Sequence, residues 1–247
     1  MMSTAWILAY VLPIFLVMAW IVAFFVALIS AFATFRTAPP GQPPSFSPPL
    51  TIFALIPALY LIAIASIIIN VMLMYRLVKR RNTHFKRQTF LFEDVIASIK
   101  TASVKKGVDV EVSSASMDRT LREAKIEETE KSAVLWALLS IFVPFVSWYV
   151  YYFLMKDFYR HERREDGFWE DMSKTLDRLG IKFSLPRRTE PIPDRNFFLY
   201  LIVTLITAGI LGIYWIYVLL KDPNNHFGHH IQVEEPLLNT LETALTA

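Results

Sequence analysis

The stretch YRLVKRRNTHFKRQTFLFED, residues 75–94, closes one apolar segment and opens an amphipathic helix, and the chain uses it again. At 152–171 it reads YFLMKDFYRHERREDGFWED. Tyr75, Leu77, Lys79, His84, Arg87, Glu93 and Asp94 recur as Tyr152, Leu154, Lys156, His161, Arg164, Glu170 and Asp171. A truncated third copy keeps Tyr217, Lys221 and His226. Leu91, Phe92, Val95 and Ile99 in the first copy match Phe168, Trp169, Met172 and Leu176 in the second. The spacing i, i+1, i+4, i+8 is one face of a helix. Gly107 and Gly180 stand where helices end. The alternating Val108, Val110, Val112 and Ile181, Phe183, Leu185 predict a short strand after each.

The surroundings of this unit belong to a membrane protein. The chain has 247 residues, 54% of them hydrophobic, and a mean hydropathy of +0.40, more apolar than an ordinary soluble domain. Residues 4–35, 49–75, 133–155 and 197–220 carry no charge, and each reaches the roughly 20 residues that span a bilayer core. The first is too long for a signal peptide and has no Lys or Arg before it, so it reads as a retained helix. The absence of cysteine excludes disulfides, thiolate metal sites and cysteine nucleophiles. A net charge of +3 lies beside apolar segments, where anionic headgroups account for it without nucleic acid.

The fold class that follows is an all-α polytopic membrane protein with four apolar segments and cytoplasmic amphipathic helices in an internal duplication. Residues 1–75 form a two-helix membrane hairpin around a proline-rich loop at 36–49. Residues 76–132 hold the first cytoplasmic unit and a charged stalk helix. Residues 133–195 hold segment three and the second unit, and 196–247 hold segment four and a C-terminal tail. Two basic blocks flank segment three, and the positive-inside rule places both in the cytoplasm only if that segment turns back. Pro144 at its midpoint, and Gly209 and Gly212 in segment four, supply breaks for re-entrant segments. A plain crossing by a proline-kinked helix remains the other reading. Ser116 is expected to cap the stalk, with Asp118–Arg122, Arg119–Glu123 and Glu127–Lys131 as i,i+4 pairs along it. The expected location is the plasma membrane, multi-pass, with both basic blocks inside.

TLITAGILGIYWIYVLLKDPNNHF, in segment four and its exit, resembles the prokaryotic membrane domain catalogued as domain of unknown function 4234, through Thr-x4-Gly-x2-Gly-Ile-Tyr-Trp-x-Tyr followed by Lys-Asp and Asn. LLSIFVPFVSWYVYYFLMKDFYRHE is similar to a diverged copy, with Pro144 in place of Gly209 and Ser147 in place of Gly212. The resemblance covers roughly residues 133–230 and implies a membrane location but no activity.

Each Tyr-x3-Lys pair (Tyr75–Lys79, Tyr152–Lys156, Tyr217–Lys221) fits an interfacial anchor, with an aromatic ring at the headgroups and a snorkelling amine. His84 and His161, with Glu93, Asp94, Glu170 and Asp171, offer either a metal or proton site or a set of structural bonds. The matched spacing predicts bonds across copies, His84 to the 170–171 acids and His161 to the 93–94 acids. His226, His229 and His230, near Glu234 and Glu235, form a nitrogen-and-carboxylate set for a metal, without the helical spacing of a zincin. Phosphate-binding loops, nucleophile elbows and HExxH are missing, and no ionisable residue lies within an apolar segment. The sequence therefore predicts no enzyme and no cofactor. The expected role is a scaffold or accessory subunit that contacts lipid and other subunits or its own copies. A small channel for neutral solutes, lined by Ser140, Thr204 and Thr207, is the alternative.

Overall fold

The computed structural model describes residues 1–36, 50–143 and 145–246. The proline-rich loop and Pro144 lie outside the described residues. All regular structure among them is helical: α1 (Trp6–Arg36), α2 (Leu50–Lys106), α3 (Glu111–Glu127), α4 (Ala133–Phe142), α5 (Val146–Arg178), α6 (Phe197–Ile206) and α7 (Ile210–Thr246). The chain divides into two units, Thr4–Leu73 and Met74–Ala247 with Met1–Ser3.

In the first unit, α1 and the start of α2 are long and apolar enough to cross a bilayer. Their large side chains are turned outward: Leu8, Phe15, Phe25 and Ile29 on α1 and Tyr60, Leu61 and Ile64 on α2 are all more than half exposed. The core helix of a soluble protein would bury such residues. Within this unit Trp20 Nε1 donates to the Leu55 carbonyl at 2.6 Å. The Ser30 and Ser66 hydroxyls bond back to carbonyls one turn earlier, which satisfies them without water.

In the second unit the apolar faces read from the sequence meet one another. Phe92 stacks on Phe168 with centroids 3.7 Å apart and planes 12° apart, and Trp169 stands edge-on to Phe92. Val95, Ile99, Met172 and Leu176 fill the same core. α7 joins it as well. It runs on through the stretch read as a C-terminal tail and adds Val233, Leu237 and Leu241, which stand 142 positions after Leu91, Val95 and Ile99, as His226 stands 142 after His84. α3 lies along α5 and buries Ser114, Met117, Leu121 and Ala124, one face at helical spacing.

Several expectations for this region are corrected. The 108–112 and 181–185 stretches form no strand. Val110, Ile181 and Phe183 are buried in the helical core instead, and Glu111 already starts α3. The two glycines do end helices. Gly107 and Gly180 have φ of +63° and +67°, and in both cases the next residue's N–H reaches the carbonyl five residues back, Val108 to Ser103 and Ile181 to Leu176. The stalk is not continuous, since α3 ends at Glu127 and Ser132 caps a new helix by accepting from the Leu135 N–H. Ser116 lies inside α3 and donates to Asp171 at 2.5 Å. Three of the residues assigned to i,i+4 pairs reach across the fold to partners better placed: Asp118 pairs with Lys100, Glu127 with Arg164 and Lys131 with Asp157.

Neither segment three nor segment four is one helix. Trp136 on α4 touches Tyr149 and Phe153 on α5, while Lys131 before α4 reaches Asp157. Pairing that moves outward in both directions from residues 143–145 is that of an antiparallel hairpin. α6 and α7 repeat it around residues 207–209: Tyr200 meets Tyr214 and Trp215, and Arg195 binds both carboxylate oxygens of Asp222. The turns need left-handed backbone, at Phe145 (φ 68°) in one and at Ala208 (49°) and Gly209 (94°) in the other. At each tip the apolar side chains are exposed, Phe142 and Phe145 in the first and Ile206 and Ile210 in the second.

Candidate metal centre

Three helices of the second unit carry a histidine at the matched position, and these three side chains converge. His84 Nε2 lies 3.1 Å from His161 Nε2 and 3.0 Å from His226 Nε2. One turn further along α7, His230 Nε2 lies 3.1 Å from His226 Nε2. All four ligand atoms fall within 4.8 Å of one another, and all four residues are buried. The chain has five histidines; the fifth, His229, is turned away and lines a cavity beside Arg188, Asn224 and Gln232.

The opposite ring nitrogens explain the orientation. His161 Nδ1 is 2.9 Å from Glu128 Oε1, His226 Nδ1 is 3.1 Å from Glu162 Oε2, and His230 Nδ1 is 2.8 Å from Glu234 Oε1. A carboxylate only accepts, so His161 and His230 donate from Nδ1, while His226 Nδ1 stands between the Glu162 carboxylate and the Arg188 guanidinium, which is 3.3 Å away. The Nε2 atoms of the four rings face one another, and each one without a proton turns a lone pair inward. Such lone pairs repel at 3 Å unless a cation stands between them. A proton is one candidate and a metal ion the other. Metal-bound histidines are oriented in this way, with the far N–H held by a carboxylate. Four nitrogens at bonds of about 2.0–2.1 Å stand roughly 3.3 Å apart around a tetrahedral ion; three of the pairs here are at 3.0–3.1 Å and all four atoms fall within 4.8 Å.

Glu165 stands one turn after His161 and is fully buried, with Oε1 2.7 Å from His230 Nε2 and 2.9 Å from Gln88 Nε2. Arg188, from the segment between α5 and α6, bridges Glu162, Glu165 and Asp166 at 2.9–3.3 Å. That segment is fixed a second time by the Ile192 N–H on Glu162 Oε1, at 2.6 Å.

Burial lowers the His84 and His226 pKa values well below the ordinary 6.5, and neighbouring histidine and arginine charges lower them further. For His230 burial acts in the same direction, but the charge and hydrogen bond of Glu165, with Glu234, overcome it and raise the ring to about 9. Burial would raise Glu165; the His230 charge and bond, with His161 and Arg188, hold it at about 2. Two histidines are thus held neutral beside an ionised carboxylate, and one position is supplied with positive charge by a proton when no metal is bound.

The predicted site residues are distributed as follows. His84, His161, His226 and His230 meet in one place, although the sequence presents them as two separate signals. His84 does not bond the 170–171 acids, nor His161 the 93–94 acids. These acids lie two turns or more further along their helices and serve surface partners: Glu93 pairs with Lys125, Glu170 with Lys174 and Asp171 with Ser116, while Asp94 is exposed. Among the anchor residues, Tyr75 and Lys79 are exposed, Tyr152 packs on Phe197, Lys156 pairs with Asp194, Tyr217 contacts Tyr214, and Lys221 lies 3.5 Å from Glu190. Sequence reasoning missed Gln88, Glu128, Glu162, Glu165 and Arg188; it placed Glu234 near the histidines, and the structure puts it on the outer nitrogen of His230. A signal for three members of the site was present in the spacing: His84–Gln88, His161–Glu165 and His226–His230 are the same i,i+4 pair on three helices. Comparison of the chain with protein-family models, with curated proteins and with solved structures returns no match.

The pKa directions predict a stability profile for protein stripped of metal with a chelator. His84 and His226, depressed in the fold, contribute stability above pH 6.5 that is lost as pH falls below it. His230, raised to about 9, contributes stability that is full below pH 6.5 and is lost as pH rises through 9. Denaturant melts from pH 5 to 9 will therefore peak near pH 6.5. The acid limb, with three lowered histidines (His84, His226 and, through burial, His229), will be steeper than the alkaline limb, where one group changes stability by at most about 1.4 kcal/mol per pH unit. A flat profile contradicts the assignment.

Proposed function

We propose that this chain is a membrane-anchored metalloprotein, in which three related helical units on the cytoplasmic side close around one divalent first-row transition-metal ion. The observation that carries this reading is the convergence of four imidazole Nε2 atoms, three of them on rings whose Nδ1 is held by a carboxylate. Imidazole suits zinc, copper, nickel and iron among biological metals. The ion is enclosed by buried side chains and sits between α2, α5 and α7, so its primary role is to lock these helices into one platform, and the platform is a scaffold for other membrane subunits.

The membrane arrangement we propose has α1 and the start of α2 crossing and the two later hairpins dipping into one leaflet. α4 and α6 have ten residues each, or about 15 Å of helix, half of a hydrocarbon core of roughly 30 Å. The exposed Phe142, Phe145, Ile206 and Ile210 at the hairpin tips suit lipid, and both basic blocks then remain on the side favoured by the positive-inside rule.

Two experiments test the two parts. Adding zinc or nickel at about one hundred times its dissociation constant to stripped protein in detergent is expected to stabilise it by about 2.7 kcal/mol. This raises Tm by roughly 5–10 °C for a chain of this size. His226→Ala will abolish the rise, and an unchanged wild-type Tm would sink the metal reading. For topology, the cysteine-free background allows Thr101→Cys, Lys174→Cys and Thr243→Cys to be labelled singly with an impermeant maleimide. All three will label only in permeabilised cells; labelling of Lys174→Cys alone in intact cells would mean that segment three crosses.

A further inference from the structure

We infer that Glu165 is a fifth ligand, so that the centre is an N4O site for an ion that accepts more than four donors, iron(II), cobalt(II) or nickel(II), and not a closed four-coordinate zinc site. This inference rests on the metal reading above and adds the ligand set and metal class to it.

The position of Glu165 carries the argument. It follows His161 by four residues, so both project from the same face of α5 into the same cluster. Its Oε1 is 2.7 Å from His230 Nε2, and its Oε2 is 3.5 Å from His226 Nε2. These contacts set Glu165 against the Nε2 face of the cluster, beside nitrogens that are themselves 3.0–3.1 Å apart; the 2.7 Å contact is a hydrogen bond while His230 holds a proton, and a metal ion would take that proton's place. The other three carboxylates around the site touch Nδ1 atoms, on the outer side of their rings. Glu165 alone among them lies against the Nε2 side, where the ion would sit.

The remaining contacts of Glu165 are those of an oriented ligand. Gln88 Nε2 donates to Oε1 at 2.9 Å and Arg188 Nη2 to Oε2 at 3.3 Å. Each carboxylate oxygen has two lone pairs, so one bond to each leaves a lone pair for the metal. Gln88 occupies on α2 the position that Glu165 occupies on α5 and His230 on α7, 77 and 142 residues apart from its counterparts. The second tier of the cluster thus consists of two donors to the ion and an amide that steers one of them. A single negative ligand also offsets half the charge of a divalent ion in a buried place, which four neutral imidazoles do not do. Structural zinc sites are almost always four-coordinate, so a fifth donor held this close favours iron, cobalt or nickel.

Cobalt(II) reports coordination number through its visible absorption, which is intense for four ligands and weak for five or six. Full-length protein in detergent, stripped and reloaded with one equivalent of cobalt, is expected to give the weak spectrum. In Glu165→Gln, cobalt will bind at least tenfold more weakly, and its spectrum will change to the intense four-coordinate form. An intense spectrum in the wild type that Glu165→Gln leaves unchanged would overturn the fifth ligand while leaving the four-histidine site standing. Failure of wild-type protein to bind one cobalt ion per chain would overturn both. Circular dichroism and Tm of metal-free Glu165→Gln establish that the variant is folded. If it is not, the wild-type spectrum alone decides.

Discussion

Four imidazole Nε2 atoms face one another among buried side chains, and the rest of the second unit can be understood as what holds them there. Buried rings left in this arrangement without a cation would repel, and a buried polar atom without a partner costs about 1–3 kcal/mol. The structure invests heavily in keeping the arrangement. Carboxylates from the segment after α3, from α5 and from α7 grip the far nitrogens, and Arg188 ties the acids of α5 to the segment that follows it. Phe85 stacks on His161 with centroids 4.2 Å apart, and Phe227 lies 4.4 Å from His84, so the rings are fixed by apolar contact as well.

The polar cluster is one tier of a two-tier bundle. Toward the helix ends, Phe92, Phe168, Trp169, Met172, Leu176, Val233 and Leu237 supply an apolar core, each large side chain contributing about 1.5–3 kcal/mol on burial. That tier holds the three helices together whether or not an ion is present, which is why the ion's contribution is measurable as an increment in Tm and not as folding itself. On the other side, the two hairpins leave the cluster and end in exposed apolar side chains at their tips. A change of this kind, from charged network to bare phenylalanine within about 15 Å of helix, matches the passage from water to lipid.

Much of this was legible in the chain, and the limits are physical. The face Leu91, Phe92, Val95, Ile99 and its counterpart were readable because helical periodicity survives any tertiary arrangement. The glycine ends were readable because positive φ leaves few alternatives to glycine. The strands were misread because Val110, Ile181 and Phe183 alternate with polar residues in extended segments that pack on helices and pair with no other strand. The third copy, on α7, was read as truncated because its identities stop at His226, whereas Val233, Leu237 and Leu241 keep only the apolar register. The partners of the histidines were misassigned because the acids common to both copies, Glu93 and Glu170, are nine residues from them and emerge on another face, while Glu162 and Glu165, next to His161, have no acidic counterpart beside His84. Glu128 comes from elsewhere in the chain and only three-dimensional closure reveals it, whereas Glu234 follows His230 by one turn of α7.

The central claim is that a metal ion joins the three helices through imidazole nitrogen. X-ray absorption at the metal edge of the purified, metal-loaded protein tests it most directly. The account predicts one ion per chain, a first shell of nitrogen and oxygen near 2.0–2.2 Å, and the outer-shell scattering of about four imidazole rings. A shell of water oxygens without imidazole scattering, or protein that retains no ion after loading, would contradict it.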